Sequence, residues 1–512
     1  MRALLLSTWS KNGSVSPLRS FFAAFLIVLG LSASWAMASP LMSVPDEPSH
    51  FVKAAAVARG EFGGASAGNR NGATEVKVPT WVVEASRNTC YAFHAGTPAN
   101  CSTSPITHST TPAIGTTTAG AYNPVYYAIV GLPSLSLDGQ LAVYAMRLVS
   151  AALSSLFIAL MIACLVRLPR HRWTVAAAAV SVTPMVLYLC GSINPNSLEY
   201  ATTGSFFASF ILLLNTRSVG IERTLTLVVA VVSAALLANT RGLSLVWLFA
   251  AVLIAMLVSG WSEFTRLFAR PSTWIALAAI AASSFFAAWW VLTQKSLQTP
   301  PYEGAGMDFW SASVVMLDRT FSYGLGLIGL FGWGDTPAPT VVYLAFGTAL
   351  TVLTVAGLAL SRGRARLGVI VSLGAFLGLP VVLQASIAHA DGFIWQGRYA
   401  LALLVIFTIA TGIAIDSSAV SMRSAPLATS IQRWAVVLLA FSQVTAFMWT
   451  LRRYVIGIDV ARGWTQMFTA ASWNPPLGWP LWALSFAALT AAGAAIVWST
   501  TRPRRPVLDS SP

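Results

Sequence analysis

Repeated apolar runs, each long enough to cross a bilayer as a helix, constrain the fold of this chain more than any other feature. Twelve of them occur, near residues 21–41, 141–166, 173–191, 198–214, 224–239, 243–260, 274–293, 340–360, 367–386, 399–415, 433–450 and 480–500. A bilayer core about 30 Å thick needs about 20 apolar residues in a helix. Only 9% of the residues are charged, against about 25% in a soluble domain. We therefore predict an all-α integral membrane protein with about 12 transmembrane helices.

Basic residues mark which ends of these helices face the cytoplasm. They gather in short connections, as in the cluster at 167–172, whereas most of the 17 acidic residues fall in longer connections on the other side. By the positive-inside rule, this alternation predicts cytoplasmic segments at 1–20 and 501–512 and a transmembrane domain at 21–500. The net charge of +14 therefore reflects topology and attraction to anionic membrane lipids. The sequence contains no basic–aromatic module for nucleic acid.

The first apolar run leaves one alternative open. It ends in Ala36-Met37-Ala38, which resembles a signal-peptidase site, and cleavage there would remove the first helix. The polar segment that precedes the run is long for a signal peptide, and the run itself is long enough to span. These two features favour a retained helix.

Three long connections fall on the predicted exterior side, at residues 42–140, 294–339 and 451–479. Helices of a bundle are ordinarily joined by about 2–8 residues, so these loops contain structure or function of their own. Within them, the segments 122–135 and 308–331 are too short or too polar to span comfortably. We predict interfacial or re-entrant helices there.

The four cysteines divide between two environments. Cys90 and Cys101 lie in the first long loop, on the oxidising side of the membrane, and their spacing suggests a disulfide that closes a small loop. Cys164 and Cys190 lie within predicted helices, where we interpret them as small apolar packing residues.

Two adjacent carboxylates stand where the first helix ends. The stretch "SVPDEPSHF" places Asp46 and Glu47 at the entrance of the first long loop. Capping of a short helix explains them, because Asp is a good N-cap and Glu in a first turn favours the helix dipole. A functional role is compatible with capping, since ionisable groups at membrane depth are costly and commonly serve a site. Both interpretations stay open at this point.

Several motifs together resemble a known family. "DEPSHF" (46–51) is similar to the Asp-Glu motifs that follow the first helix of GT-C membrane glycosyltransferases, such as protein O-mannosyltransferases and lipid A aminoarabinose transferases. The whole set most resembles the bacterial domain-of-unknown-function 2142 family; its other motifs are "NPVYY" (123–127), "NPN" (194–196), "GWGDTP" (332–337) and "QGRYAL" (396–401). One departure is Asn123-Pro124-Val125, where the GT-C relatives have His-Pro-Pro, so a role for that His has no support here.

The resemblance implies a GT-C-type bundle with long exterior loops, in a bacterial cytoplasmic (inner) membrane. GT-C enzymes move a sugar from a polyprenyl-phosphate donor to an acceptor on the exterior face, with inversion, and here the acceptor would be an envelope glycan, lipid or protein. The reaction needs a carboxylate base, for which we predict Asp46, with Glu47 as the alternative. It also needs cations for the departing phosphate; the candidates are Arg398, Arg241, Arg319 and Lys295.

Four further residues are candidates for binding the acceptor or the sugar: His50, Tyr126, Trp333 and Asp335. His50 follows Asp46 by four residues and would share its helical face, although a surface histidine of a short helix explains it equally well. A Gly-Asp-Thr-Pro turn likewise explains Asp335 without a substrate. No metal site is predicted, because "HADG" (389–392) offers two ligands without a third; a divalent metal is not ruled out by the sequence.

Other function classes share many of these features. A flippase or transporter would have the same helix count, but it should carry charges that face a cavity within the helices, and the predicted helix interiors are almost free of charge. A polymerase or ligase of lipid-linked glycans would use the same carrier with a longer donor. A non-catalytic assembly scaffold would need no carboxylate at position 46.

Overall fold

A computed structural model of the chain describes residues 16–66, 72–102, 105–298, 300–418, 425–459 and 463–500. Within them, ten helices are long and apolar enough to cross a membrane, or up to 12 if each of two bent helix pairs counts as one span. Each of the twelve predicted runs coincides with one of these spans. The predicted all-α membrane architecture is therefore confirmed, whereas the predicted tail 501–512 and most of the segment 1–20 lie outside the described residues.

The α-helices are numbered here in chain order. The first ten are α1 (Pro17–Ala38), α2 (Glu47–Val57), α3 (Thr80–Ser86), α4 (Pro124–Val130), α5 (Gly139–Leu165), α6 (Arg172–Ser181), α7 (Pro184–Cys190), α8 (Pro195–Asn215), α9 (Gly220–Ala238) and α10 (Ser244–Ser259). The others are α11 (Trp261–Leu267), α12 (Pro271–Gln294), α13 (Phe309–Ile328), α14 (Thr340–Leu360), α15 (Gly363–Asp391), α16 (Leu401–Asp416), α17 (Ala425–Ile456), α18 (Gln466–Thr469) and α19 (Trp479–Thr500). Short 3₁₀ turns occupy Ala99–Cys101, Leu132–Leu135 and Gly397–Ala400.

Two of the helices, α8 and α16, form the centre of the bundle. Both are buried along almost their whole length, and most of their residues are accordingly apolar or small, as expected of a helix surrounded by others. Around them, α5 packs on α8, α6 packs on α16, and α1 packs along α5. The first helix is thus a full member of the bundle.

Two spans are broken, and local sequence explains both breaks. The axis bends by 66° between α6 and α7, where Pro184 starts a new helix and the Thr183 side chain accepts from the backbone N–H of Val186. Proline is suited to a first helical turn and Thr to the cap before it. The axis bends by 116° between α10 and α11, at Gly260, whose φ of 102° favours glycine.

The first long loop contains a small sheet that the sequence analysis did not predict. Strands β1 (Ala65–Ser66), β2 (Thr74–Pro79) and β3 (Pro112–Thr117) pair antiparallel in the order β1-β2-β3, with Val76 opposite Gly115. Val76 and Val78 are buried, whereas Glu75 and Lys77 are exposed. This alternation is typical of a half-buried strand, but it is only a few residues long.

The helices predicted at 122–135 and 308–331 are present. The first is α4 with the turn Leu132–Leu135, and the second is α13, which packs against α15 and the turn Gly397–Ala400. A short hairpin follows α13, formed by β4 (Leu330–Phe331) and β5 (Thr336–Pro337). Their interfacial or re-entrant position in the bilayer stays a prediction.

Arg453, near the end of α17, joins two of the long loops. Its guanidinium is fully buried, pairs with Asp335 at 2.9 Å and donates to the backbone carbonyls of Tyr91, His94 and Thr97. These carbonyls belong to the loop closed by the disulfide between Cys90 and Cys101, which forms as the sequence predicts. Arg453 therefore ties that loop to the β4–β5 hairpin.

We expect Arg453→Met to lower the free energy of unfolding by about 3–5 kcal/mol, because it leaves the Asp335 carboxylate buried without its charged partner. Thermal unfolding in detergent would measure the change. Arg87→Leu is the control, since Arg87 is an exposed arginine of the first long loop, outside the segment closed by the disulfide. Equal unfolding temperatures for the two variants would contradict the structural role of Arg453.

Candidate functional site

The candidate residues gather at one end of the bundle, called here the loop end: the end at which α1 finishes and α8 and α16 begin. Among the described residues, connections that meet there include residues 39–46, 191–194, 239–243, 332–335 and 392–400. The chain passes through this end repeatedly because alternate spans start and finish there. Polar groups that are distant in sequence therefore share one region.

Glu47 and Arg147 form a fully buried ion pair. Arg147 Nε lies 2.7 Å from Glu47 Oε1 and Arg147 Nη2 lies 2.6 Å from Glu47 Oε2. The remaining guanidinium N–H groups donate to the backbone carbonyls of Ala36, Ser39 and Pro40. All five N–H groups of the arginine are thus used, and both carboxylate oxygens of Glu47 are occupied.

Asp46, the residue before Glu47, is in a different environment. Its side chain is 43% exposed, and its carboxylate lies 2.5 Å from Nη2 of Arg398, whose own side chain is only 9% exposed. Asp46 occupies the cap position of α2, but its side chain accepts no capping hydrogen bond, and its backbone is left-handed with φ 65°. Such a conformation is strained for a residue with a side chain. It directs the carboxylate away from the helix that it precedes.

Arg398 is positioned by a close approach of two glycines. It lies in the turn Gly397–Ala400, and a Cβ at Gly397 would stand 1.9 Å from the carbonyl oxygen of Tyr323 in α13, with Gly326 in the same contact. Only a residue without a side chain fits there. The Arg398 Nε atom is buried and has no hydrogen-bond partner among the described residues.

Arg241 lies beside the same group. Its guanidinium stacks 4.4 Å from the ring centroid of Tyr399, and the Arg398 guanidinium lies 5.4 Å from that centroid. Arg241 donates to Asn196 Oδ1 and lies 3.4 Å from Glu199 Oε2. Arg241 and Arg398 therefore share one aromatic ring, where they form a cationic site at the loop end.

Glu199 is a residue of this site that the sequence analysis missed. It is buried, and its Oε1 atom accepts hydrogen bonds from Ser244 and from the indole of Trp247 while Oε2 faces Arg241. A signal was present, because Glu199 is the only acidic residue between Asp138 and Glu222 and sits in the first turns of a predicted span. An isolated carboxylate in an apolar helix commonly has a paired cation.

His50 lies behind Asp46 and is buried. Its Nδ1 atom is 2.8 Å from the Tyr127 hydroxyl. Burial lowers the pKa of His50 to about 3; the Asp46 carboxylate opposes this shift, and the Arg241 and Arg398 guanidinium groups add to it. The imidazole is therefore neutral at ordinary pH, and it is a hydrogen-bonding group rather than a cation.

The other sequence candidates lie away from the Asp46–Arg398 pair or are already bonded. The Tyr126 hydroxyl is 2.9 Å from Ser150 Oγ, and the Trp333 indole donates to the Met42 carbonyl. Asp335 is the partner of Arg453 described above. Arg319 lies over the ring of Phe393 at 4.9 Å, and Lys295 is exposed at the end of α12. Within the described ranges, no three His, Cys, Asp or Glu side chains are grouped to hold a metal ion.

The chain matches a known family over most of its length. Residues 29–407 match the model of a family described as predicted membrane protein (DUF2142). The chain belongs to this family. The matched range includes Asp46, Arg241 and Arg398, but not Arg453.

Beyond its family, the chain has only distant similarity to known proteins and structures. No curated protein matches this member of the DUF2142 family. Among solved structures, it is similar to ArnT from Cupriavidus metallidurans, both in the apo state and bound to undecaprenyl phosphate. In each case the identity is 13%, the match covers 94% of this chain and 75% of ArnT, and the TM-score is 0.43.

The two adjacent carboxylates should respond differently to removal of their charge. We expect Glu47→Gln to lower the free energy of unfolding by about 3–5 kcal/mol, because it leaves a buried arginine charge uncompensated. Asp46→Asn removes the charge of a carboxylate that is 43% exposed and leaves an amide oxygen that can still accept from Arg398, so it should cost less, about 1 kcal/mol. Thermal unfolding of both variants in detergent tests the contrast, and equal losses of stability would refute it.

The pKa of His50 also predicts an acid sensitivity. The unfolded chain protonates this histidine below about pH 6.5, whereas the folded protein does not protonate it until about pH 3. Stability is lost as the pH falls between these values, because the unfolded state binds the extra proton. We expect the loss between pH 7 and pH 4 to be about 3 kcal/mol smaller in His50→Gln than in the wild type. Identical pH profiles for the two proteins would contradict the shift.

Proposed function

We propose that this protein is a GT-C-type inverting glycosyltransferase. In this proposal it moves a hexosyl or pentosyl group from a polyprenyl-phosphate donor to an envelope glycan, lipid or protein acceptor on the exterior face of the bacterial inner membrane. One observation carries the proposal: a half-exposed carboxylate, Asp46, is held against a buried arginine, Arg398, whose Nε atom has no partner in the described part of the chain. A carboxylate beside a cation with an unsatisfied donor is what this transfer requires.

Asp46 serves as the base in the proposed reaction. Its carboxylate takes the proton of the acceptor hydroxyl while that oxygen bonds to the anomeric carbon of the sugar. The bond from this carbon to the phosphate oxygen breaks, and its electron pair leaves with the polyprenyl phosphate. Glu47 is the weaker candidate because both of its oxygens accept from Arg147 and neither is exposed. A buried carboxylate with a bidentate partner is poorly placed to take up a proton.

Arg398 and Arg241 bind the phosphate in this proposal. Both guanidinium groups lie against the ring of Tyr399, and planar guanidinium groups can donate two hydrogen bonds at once to phosphate oxygens. A phosphate that binds Arg398 competes with Asp46 for the N–H groups of the arginine. The Asp46 carboxylate is then free to take the proton of the acceptor hydroxyl. Glu199 positions Arg241, and Gly397 positions Arg398. Arg319 and Lys295 have no comparable support.

The remaining polar groups orient the acceptor and the carboxylate. His50 is neutral and hydrogen-bonded to Tyr127, so it can shape the wall beside Asp46 without competing for the proton. Trp333 and Asp335 stabilise the loops rather than line the Asp46–Arg398 pair, which makes a direct role in sugar binding the weaker interpretation. No step of the proposed transfer is routed through a metal.

The long helices contain more buried charged residues than the sequence predicts. Three largely buried ion pairs in the described ranges place a charged residue within a long helix: Arg147 in α5, Glu199 in α8 and Arg453 in α17. All three lie at the loop end, with the candidate site, rather than along a path through the bundle. Their position favours an enzyme with its site at one face of the bundle over a flippase or transporter.

Sugar transfer should depend on the two central residues. We expect Asp46→Asn and Arg398→Ala each to lower the transfer rate by about 10²–10⁴-fold, as for the loss of a general base or of charge stabilisation. The measurement is transfer by purified protein in detergent from a polyprenyl-phosphate monosaccharide. Arg87→Ala, which changes an exposed arginine of the first long loop, should retain full activity.

The same assay distinguishes the proposed glycosyltransferase from the alternative functions. Activity that requires a pyrophosphate-linked oligosaccharide would identify a polymerase or ligase instead. A wild-type rate retained by both Asp46→Asn and Arg398→Ala would reject the site, and it would leave transport or a scaffold role to be tested.

A further inference from the structure

A large apolar cavity lies in the half of the bundle away from the candidate site. Its volume is about 910 Å³, and it is lined by α1, α6, α14, α17 and α19. On α1 its lining begins at Ser20 and ends at Leu31, whereas the contacts with Arg147 begin at Ala36. On α17 it spans residues 430–443, well before Arg453. The cavity is therefore distinct from the Asp46–Arg398 region.

The cavity is open to the side of the bundle. Three of its lining residues, Val352 on α14 and Ile431 and Leu438 on α17, are 40–45% exposed. These apolar side chains belong to helices long and apolar enough to span the membrane. An opening between α14 and α17 therefore faces hydrocarbon chains rather than water, and a lipid chain can enter it without crossing a polar surface.

Unsatisfied hydrogen-bond donors collect at the end of the cavity that is remote from the loop end. Ser20 Oγ, Trp173 Nε1 and Gln432 Nε2 are buried, line the cavity and have no partner among the described residues. A buried donor without a partner costs about 1–3 kcal/mol. Three such donors at one end indicate a ligand that brings acceptor oxygens there. Thr490 Oγ1 and Gln443 Oε1 are also unpartnered, further along the cavity.

The same end of the cavity is basic. Arg172 donates to Gln432 Oε1 at 2.6 Å and to Thr429 Oγ1 at 2.8 Å, so it lies beside the unsatisfied amide of Gln432. Arg433 lies over the Trp498 ring at 4.9 Å. Basic side chains at the membrane surface attract anionic lipid head groups, at about 1 kcal/mol per residue.

We propose that this cavity is a binding site for one anionic phospholipid of the leaflet opposite to the candidate site. An acyl chain enters between α14 and α17 and fills the apolar space, while the phosphate and ester oxygens accept from Ser20, Trp173 and Gln432 beside Arg172. This site is independent of sugar transfer. The lipid stabilises the packing of α1, α17 and α19 around what is otherwise a void in the bundle.

Lipid retention tests the site. We expect the wild-type protein, purified in mild detergent, to carry one tightly bound phospholipid, detected by native mass spectrometry and enriched in anionic head groups over the bulk membrane. Ala349→Trp, which adds bulk to the cavity wall, should remove it. Ala282→Trp is the matched control, because Ala282 is an exposed residue of α12 that does not line the cavity. Equal lipid content in the two variants would overturn the proposal.

The head-group end is tested separately. Arg172→Gln should keep the bound lipid but lower its preference for anionic over zwitterionic head groups by about fivefold. An unchanged preference would refute the charge recognition.

A photo-reactive amino acid at Val436, which lines the cavity, identifies the occupant directly. A phospholipid adduct supports the proposal. A polyprenyl-phosphate adduct, or a cross-link to a segment of this chain or to another protein, overturns it. Because none of these measurements uses sugar transfer, Asp46→Asn should behave as the wild type in all of them. A failure of this proposal is thereby distinguished from a failure of the proposed enzyme activity.

Discussion

The Glu47–Arg147 ion pair is the interaction on which the loop end of the bundle depends. Arg147 projects from α5 and donates its five N–H groups to Glu47, the first residue of α2, and to three carbonyls at the end of α1 and just after it, those of Ala36, Ser39 and Pro40. Glu47 in turn accepts from the backbone N–H of Ile193, just before α8. One buried pair thus joins the ends of four helices. Such a pair is tolerable because every donor is satisfied, and removal of either member leaves a charge in an apolar interior.

Asp46 depends on this anchor for its position. Glu47 is fixed against α5 by Arg147, whereas Asp46, the residue before it, has a left-handed backbone with φ 65° and pairs with Arg398 instead. Two adjacent carboxylates thereby enter opposite environments: one is buried and fully paired, the other is half-exposed beside Arg398. Environment rather than residue type separates a structural carboxylate from a candidate base. The cap interpretation of Asp46 loses its support, because the side chain makes no cap bond.

Some elements of this protein are encoded by local sequence patterns and others are not, for physical reasons. Apolar runs of about 20 residues predict spans well because lipid leaves the backbone no alternative, and all twelve correspond to spans. Short polar elements are harder to predict. The alternating pattern of the strand at 74–79 covers only a few residues, and the strands at 74–79 and 112–117 are stabilised by each other and by α2. Glu199 was missed because its partners, Arg241, Ser244 and Trp247, lie more than 40 residues further along the chain. Cys90 and Cys101 were the exception, since a disulfide can be inferred from spacing and compartment.

The pattern of residues along the chain predicts that it crosses a membrane many times, and it identifies Asp46, Glu47, Arg241 and Arg398 as ionisable groups at the ends of spans. Hydrophobicity and charge are properties of single residues, so a linear pattern reveals them. Which ionisable groups meet depends on the tertiary fold: Glu47 pairs with Arg147, Asp46 with Arg398, and Asp335 with Arg453. Those pairings join residues 100 to 352 positions apart. They arise because packed helices bring their ends to one surface, and that packing depends on the complementarity of whole helix faces rather than on any local stretch of sequence.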